Sequence, residues 1–490
     1  MKYMNIVSIS LMWMSLSIAP MSCAEKEVVN NLEALMPDNN RIIGKVHCGG
    51  KGLEGVIVTD GTNFCTTSYG GFFILDITAE SEFVSIVTPS GYMADYSSGS
   101  PEFYRKVSAK TESYDFNLTR YFDSDDYNLI AVADPQAKDE TQFGQFKGAP
   151  LEEIRTTCSA LADLRSTVGI CLGDLVQDAM PLIPKMKECF ASTGIPFYYI
   201  IGNHDFNASL SGVQAAKDFK SEFGPLNYAF YIGQDLVIGL NSVLYTTNKQ
   251  FEEGYDEETV KFLEHLLKFV PKTTKLYVAQ HIPIHRWWKD SSIQNGDRVL
   301  DILDGYDVSF LTGHTHVHNI TRLRNGIVDH NISGFLGAWW VVDVCRDGTP
   351  RGYEIFTNNS GMRSYSYHSV EKGDDGQYEI ILPGQSERNP DAVVLNVWDV
   401  DDDWTVEWSE DGVAKGPMER TMDISYRYAV TIKSAYPDHP SRYEPNVNKH
   451  FFKAVPSQNA REVELHIKTP FGKEWKETVK LLNFYTYGNQ

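Results

Sequence analysis

Histidine recurs at every second position in one short stretch, GHTHVH, which contains His314, His316 and His318. Imidazoles can converge on a metal ion, but period-two polarity is also typical of the edge of a half-buried strand. The stretch directly follows an apolar run, VSFLT, that predicts a buried strand. Whether these histidines are ligands therefore depends on the residues at the ends of the neighbouring strands.

Polar residues also follow four other apolar runs. Asp134 and Gln136 follow NLIAVA, and Asp174 and Asp178 follow TVGICL. Asn203, His204 and Asp205 follow PFYYII, and Gln280 and His281 follow TKLYVA. In open α/β sheets the ligand site lies beyond the carboxyl ends of the strands, so these residues are expected to line one crevice. Their oxygen and nitrogen donors suit hard-to-borderline divalent or trivalent metals.

The elements that must position these residues suggest a multidomain protein. Between the apolar runs lie LEEIRTTCSALADLR, PLIPKMKECFAS and EETVKFLEHLLKFV, whose apolar spacing predicts helices. We therefore predict an α/β domain at residues 125–347, with two sheets covered by helices and a β-hairpin at FYIGQDLVIGLN. For residues 41–122 we predict an immunoglobulin-like β-sandwich, and for residues 348–490 we predict a β-rich domain without helices.

Charge and length restrict the partners. The chain has 490 residues and a formal net charge of -21, from 65 acidic and 44 basic side chains. Such a surface repels nucleic-acid backbones and anionic lipid heads, which excludes both as the main partner. A small-molecule or protein phosphoester substrate remains compatible, because a bound metal supplies the local positive charge.

The first residues predict export. Residues 1–24 contain one lysine, then an apolar run, then small residues, which is the pattern of a signal peptide. We expect no membrane span after them. Two processing patterns stay open: cleavage after Ala24, or a lipid anchor on Cys23. The protein is expected in the periplasm, on the outer surface as a lipoprotein, or secreted. Cys48 and Cys65 could form a disulfide in such a compartment.

The ordered set of motifs resembles the calcineurin-like metallophosphoesterases. The motifs Asp134-x-Gln136, GDLVQD, GNHD, a lone His281 and GHTH follow one another between about residues 134 and 318. The flanking regions resemble a bacterial secreted subgroup with an N-terminal sandwich and a C-terminal partner domain. The resemblance implies two metal ions bridged by Asp174, with further ligands in Asp134, Gln136 and His316 for one ion and Asn203, His281 and His314 for the other. His204 would stand near the scissile oxygen, oriented by Asp205, while His318 lies outside the motif.

Gln136 departs from the family pattern, which usually has histidine there. A glutamine binds a metal only through its neutral carbonyl oxygen, a harder and weaker donor than imidazole. We expect it to weaken that metal position and to shift its preference from Zn towards Mn or Fe.

The implied activity is hydrolysis of a phosphate ester by a hydroxide that bridges the two ions. Whether the substrate is a monoester or a diester stays open. Arg286 could hold a second phosphate, and Trp339 and Trp340 could stack on the substrate, although core packing is the default for paired tryptophans. The alternative to an enzyme is a non-catalytic binding protein on a phosphoesterase scaffold.

Overall fold

The structure, a computed structural model, describes residues 40–481 except 109, 110, 112, 122, 123, 288 and 376. The predicted leader, residues 1–24 with Cys23, lies outside the described residues. Within the part that is described, no helix combines the length and apolar character needed to cross a membrane. Cys48 and Cys65 are free thiols, so the pairing considered from the sequence is not formed.

Two small sheets form the N-terminal region. Its strands are β1 Arg41–Cys48, β2 Lys51–Gly52, β3 Ile57–Thr59, β4 Phe64–Thr66, β5 Phe72–Asp76, β6 Phe83–Ile86, β7 Tyr92–Met93, β8 Tyr104–Lys106 and β9 Tyr114–Arg120. One sheet has the order β2-β1-β9-β7 with β5 also on β1, and the other has the order β4-β3-β6-β8. The described part of this region is all-β, while its likeness to an immunoglobulin domain stays a prediction.

The N-terminal sheets share a hydrophobic core with the central α/β region. Val46 and Phe116 belong to the same buried cluster as Tyr198 and Phe230. The rings of Phe103 and Tyr198 lie 5.7 Å apart. Burial of this apolar surface fixes the N-terminal region on the central sheets, because separating them would expose these aromatic side chains to water.

Two large sheets and two separate two-stranded hairpins lie at the centre of the molecule. The strands are β10 Tyr127–Val132, β11 Ser166–Cys171, β12 Phe197–Tyr199, β13 Tyr228–Ile232, β14 Asp235–Gly239, β15 Val243–Thr247, β16 Gln250–Glu253, β17 Lys275–Ala279, β18 His285–Arg286, β19 Ser291–Ser292, β20 Asp307–Thr312, β21 Asn319–Arg322 and β22 Val328–Asn331. The helices are α1 Glu140–Phe146, α2 Ala149–Ala162, α3 Ile183–Ala191, α4 Lys217–Phe223, α5 Glu257–Leu266 and α6 Gly296–Ile302.

Parallel pairing brings the strand ends together. The first sheet contains the parallel run β12-β11-β10, and the second contains the parallel run β14-β17-β20-β22. Strands β10 and β11 are buried at every position, as expected for strands covered on both faces. The predicted hairpin is present as β13–β14, and it forms the edge of the second sheet. Each parallel run therefore places its carboxyl ends at one edge.

The C-terminal region differs from the prediction in two respects. Its strands are β23 Gly352–Asn359, β24 Met362–Ser369, β25 Tyr378–Ile381, β26 Val393–Val397, β27 Thr405–Glu410, β28 Val413–Pro417, β29 Glu419–Asp423, β30 Asn448–Ala454, β31 Glu462–Lys468 and β32 Glu474–Lys480. Strand β23 pairs with β10, and β24 pairs with β23, so both complete the first central sheet. The boundary predicted between residues 347 and 348 is therefore wrong, since the sheet extends beyond it.

The second difference is a helix, α7 Tyr426–Ala435, in the region predicted to have none. Its sequence, YRYAVTIKSA, is rich in aromatic and β-branched residues, which favour strands. Ser425 caps the helix by accepting a hydrogen bond from the Tyr428 backbone N–H. Tyr428 and Ile432 are buried against Ala338 and Val342. Tertiary packing thus outweighs the local preference, and it places α7 beside the loops of the site.

Candidate active site

The structure brings together all seven side chains predicted as metal ligands, at the carboxyl ends of β10, β11, β12, β17 and β20. Asp134 Oδ2 accepts a hydrogen bond from the His314 backbone N–H at 2.9 Å, and Asp134 Oδ1 lies 3.5 Å from His316 Nε2. Gln136 Nε2 donates to Asp174 Oδ2 at 3.2 Å. These contacts join the ends of β10, β11 and β20 in one cluster.

His281 is fully buried and surrounded by acceptors. Its Nδ1 lies 2.8 Å from the carbonyl oxygen of Leu172, which fixes that nitrogen as the donor. Its Nε2 faces Asn203 Oδ1 at 3.1 Å, His314 Nδ1 at 3.2 Å and Asp174 Oδ1 at 3.4 Å. A proton or a metal ion at Nε2 would satisfy the carboxylate oxygen and the amide oxygen at once, and the tautomer of His314 decides whether that ring donates or accepts.

The pKa values in the cluster follow from the balance between burial and the charges of neighbouring groups. Burial lowers the pKa of His281, but Asp174 and other acceptors raise it to about 9. Burial and the neighbouring His281 lower the pKa of His314 to about 3. Burial raises the pKa of Asp174, but His281 and His204 lower it by more, to well below its usual range. Asp174 is therefore a carboxylate, as a bridging ligand must be.

The oxygen atoms of Asp134 and Gln136 give a direct test of whether the residues fit a metal. The two side chains are 0% and 2% exposed. Asp134 Oδ1 and Gln136 Oε1 have no hydrogen-bond partner, and an unpaired buried acceptor costs about 1–3 kcal/mol. Both atoms are ones that the predicted ligand set assigns to the first ion. A set of oxygen and imidazole donors with two unpaired oxygens fits a hard-to-borderline metal ion.

Backbone strain is concentrated at the same place. Five of the seven predicted ligands have left-handed φ angles between 40° and 72°: Asp134, Gln136, Asp174, His314 and His316. Such conformations cost about 1–3 kcal/mol each outside glycine, and they persist where the surrounding structure holds them. The strain turns side chains towards the crevice instead of along the sheet.

Gly202 explains the GNHD motif in steric terms. A Cβ atom at Gly202 would lie 2.1 Å from the backbone nitrogen of Asp174 and 2.2 Å from its Oδ1. Only glycine allows the loop that carries Asn203 to approach Asp174 this closely. The motif therefore holds two of the strand ends together.

His204 is oriented by Asp178, and the role predicted for Asp205 is wrong. His204 Nδ1 lies 3.2 Å from Asp178 Oδ1, and Asp178 Oδ2 accepts from Lys249 Nζ at 2.7 Å. Burial lowers the pKa of His204, but Asp174 and Asp178 raise it to about 9, so the ring carries a proton. His204 is therefore a donor held by a carboxylate.

Asp205 instead holds the backbone of the site. Its Oδ2 accepts from the Gly202 N–H at 2.9 Å, and its Oδ1 accepts from the Val176 N–H at 3.1 Å. The side chain is 0% exposed, and burial together with the charge of Asp174 raises its pKa to about 7. Asp205 thus ties the β11 loop to the β12 loop, which is a structural role.

The three residues predicted to contact the substrate have different environments in the structure. Trp340 is 6% exposed and donates from Nε1 to the Pro135 carbonyl oxygen at 3.0 Å, so it is a core residue and its predicted substrate role is wrong. Arg286 forms an ion pair with Glu253 at 3.0 Å and donates to the Ser292 carbonyl oxygen. Its guanidinium is therefore already engaged inside the protein.

Trp339 lies beside the predicted ligands and also contacts the C-terminal region. Its ring centroid is 5.1 Å from that of His316 and 5.1 Å from that of Tyr443. The Arg442 guanidinium lies 5.9 Å from the Trp339 ring. The C-terminal region therefore contributes to the wall of the site, and Trp339 stays a candidate for substrate contact.

Sequence reasoning missed the residues that come from the β15–β16 hairpin. Lys249 reaches Asp178, the Phe251 ring lies 6.1 Å from the His314 ring, and Glu253 Oε1 lies 4.0 Å from His314 Nε2. The dipeptide Asn-Lys in TTNKQF lacks the glycine that typically marks a two-residue hairpin turn, and nothing in this sequence points to the crevice. Asp178 was visible as the last residue of GDLVQD, yet its partner could not be inferred from spacing.

Comparison with known proteins agrees with this geometry. Residues 130–318 match the family described as calcineurin-like phosphoesterase, residues 40–121 match its N-terminal domain, and residues 329–475 match its C-terminal domain. These three matches together cover most of the chain, which belongs to the calcineurin-like phosphoesterase family. Members of this family use a binuclear metal centre, and the ligand atoms of Asp174, His281 and His314 lie within 4.8 Å of one another.

Among curated relatives, a probable glycerophosphodiester phosphodiesterase of Arcobacter nitrofigilis is 29% identical over 147 residues, which are 29% of this chain and 53% of that protein. This chain thus spans about half the length of that relative. The UDP-2,3-diacylglucosamine hydrolase of Proteus mirabilis is 25% identical over 200 residues, 39% of this chain and 81% of that protein. A dimetal phosphatase structure from Danio rerio has a TM-score of 0.37 at 13% identity, over 50% of this chain and 96% of that one.

Proposed function

We propose that this protein is an exported, metal-dependent phosphohydrolase with a binuclear centre. The observation that carries the proposal is the buried convergence of seven oxygen and nitrogen ligands with two unpaired acceptors, on Asp134 and Gln136. Buried acceptors without donors are retained in a stable protein where a cation compensates them. The non-catalytic alternative predicts loss of such residues, and all of them are present.

The two ions would share Asp174. One would be held with Asp134, Gln136 and His316, and the other with Asn203, His281 and His314. Mn, Fe and Zn are all compatible with this donor set. Such ions, when bound, supply positive charge for the phosphoryl oxygens and lower the pKa of water.

His204 is the proposed proton donor to the leaving group. Its side chain is 29% exposed, so a substrate can reach it. Asp178 holds the ring through Nδ1, which leaves Nε2 as the nitrogen that would donate a proton to the leaving group. Trp339 would line the opposite wall, next to His316.

The names of two curated relatives favour a substrate with a substituted phosphate. One curated relative is named a glycerophosphodiester phosphodiesterase and the other a UDP-2,3-diacylglucosamine hydrolase. We accordingly place a diester or a phosphoanhydride first and a phosphomonoester second. The charge of -21 supports a small substrate over a nucleic acid.

Hydrolysis of two chromogenic esters tests the proposal. Mn-loaded protein is assayed with p-nitrophenyl phosphate and bis-p-nitrophenyl phosphate, beside an Asp174→Asn control. Activity on either ester that the control loses supports the enzyme, and the ratio of the two rates decides between monoester and diester. Metal bound by the wild type without activity on either ester would contradict the proposed reaction.

A further inference from the structure

The tip of the β15–β16 hairpin carries a lysine in an unfavourable backbone conformation. Asn248 and Lys249 have φ angles of 50° and 64°. A two-residue turn with both φ angles positive strongly prefers glycine, above all at its second position. A lysine there costs roughly 1 kcal/mol relative to glycine, since its Cβ crowds the backbone. The turn would be more stable with glycine at this position, which indicates that the lysine side chain has a function.

The position of the turn is fixed relative to the site. The Lys249 backbone N–H donates to Tyr245 Oη at 2.8 Å. The Tyr245 ring stacks on Phe206 at 4.6 Å with an interplanar angle of 3°. Phe206 belongs to the loop that carries His204, and a β-bridge between Ser211 and Thr247 holds the hairpin to the same segment. The hairpin and the loop of the proton donor therefore form one packed unit.

The Lys249 ammonium contacts the carboxylate of Asp178, which also contacts the proposed proton donor, His204. Asp178 Oδ1 contacts His204 Nδ1 at 3.2 Å, while Oδ2 accepts from Lys249 Nζ at 2.7 Å. An ammonium group has three N–H donors, and Asp178 is the one acceptor that the described residues provide. The Lys249 side chain is 55% exposed, so its remaining donors are accessible to a ligand.

We infer that Lys249 binds an anionic group carried by the leaving group of the substrate. The inference rests on the proposed function, because His204 defines the side of the crevice from which the leaving group departs. A metal centre would hold the phosphoryl group that reacts, so a cation beside His204 is available for a second anion. The substrate class is a phosphoester or phosphoanhydride whose leaving group bears a phosphate or carboxylate near the ester oxygen.

Two glycine variants separate the charge of Lys249 from the strain of its turn. Lys249→Gly and Asn248→Gly each relieve one left-handed residue, and only the first removes the cation. Each is assayed with phenyl phosphate and 3-carboxyphenyl phosphate, whose leaving groups have almost equal basicity and differ in charge. Both esters are also prepared as methyl diesters, so whichever class the enzyme hydrolyses supplies the comparison. Lys249→Arg serves as the variant that keeps the charge.

The expected result is a change in preference between the two esters. Wild type, Asn248→Gly and Lys249→Arg should favour the carboxylated ester in kcat/KM, and Lys249→Gly should lose about fivefold or more of that preference. High salt should reduce the preference in wild type and leave it unchanged in Lys249→Gly. Both glycine variants should melt at or above the wild-type temperature.

Other outcomes overturn the inference in distinguishable ways. Equal losses on both esters in Lys249→Gly would show that Lys249 only neutralises Asp178. An unchanged ratio with unchanged rates would show that the leaving group does not reach Lys249. Hydrolysis of none of the esters by metal-loaded wild type would refute the proposed function and, with it, this inference.

Discussion

Replacing Asp178 by asparagine keeps the shape of the side chain but removes the charge that His204 and Lys249 share. In the wild type, His204 Nδ1 lies 3.2 Å from Asp178 Oδ1. A hydrogen bond to a charged acceptor contributes about 1.5–3 kcal/mol, and a neutral one contributes about 0.5–1.5 kcal/mol. The variant should therefore lose about 1–2 kcal/mol of the interaction that holds and protonates the ring.

If this interaction acts in the transition state, the loss corresponds to roughly 5- to 30-fold in kcat. The reduction should appear on esters with poor leaving groups, such as methyl esters, because they require protonation. It should be small on p-nitrophenyl esters, whose leaving group departs without a proton. The assay is steady-state hydrolysis of both ester types, with metal content measured in each preparation.

Asp205→Asn is the matched control, because it changes the neighbouring carboxylate of the same motif. Asp205 accepts backbone N–H groups from Gly202 and Val176, and its amide replacement would leave one of them unpaired. We expect it to lower the free energy of unfolding by about 1–3 kcal/mol without a dependence on the leaving group. The assignment of Asp178 as the residue that orients His204 would be refuted if the loss of kcat depended on the leaving group in Asp205→Asn but not in Asp178→Asn.

Three further predictions concern other parts of the molecule. His204→Ala should retain both metals yet lose roughly 100-fold in kcat on esters with poor leaving groups, and far less on p-nitrophenyl esters; equal losses would argue against proton donation. Gln136→His should bind its metal roughly tenfold more tightly and prefer Zn, as measured by competition with a metal indicator, whereas unchanged affinity and preference would contradict our account of glutamine. Burial lowers the pKa of His368, but its hydrogen bonds to Asp374 and Glu153 raise it to about 9. The folded protein thus holds this proton more tightly than the unfolded chain, whose histidine pKa is about 6.5. The stabilisation is complete below about pH 6.5 and is lost as the pH rises towards 9. In urea titrations, the free energy of unfolding should change with pH by about 1–3 kcal/mol less in His368→Gln than in the wild type. An equal change with pH in both proteins would contradict this prediction.

The catalytic sheets were predictable because their strands are buried on both faces. Runs such as NLIAVA and TVGICL must be covered by helices, and the intervening segments have the spacing that helices need. The C-terminal half was less predictable. Strands β23 and β24 resemble those that come after them, and only their pairing with β10 shows which sheet they join. Helix α7 has a strand-like composition, and its burial against the Trp339 loop decides its conformation.

The sequence by itself determined which residues gather at the site and what chemistry they offer. Polar residues at the ends of successive parallel strands must meet at one edge, so Asp134, Asp174 and His281 could be placed together from their order alone. Tertiary structure decided which neighbour each side chain contacts. Asp178 and Asp205 are both carboxylates in the site motifs, and spacing does not distinguish them. The left-handed backbone at Asp178 and the packing of the hairpin behind Lys249 place one carboxylate on His204, while burial directs the other to backbone N–H groups. Such choices depend on dihedral angles and long-range packing, which no local pattern of residue types encodes.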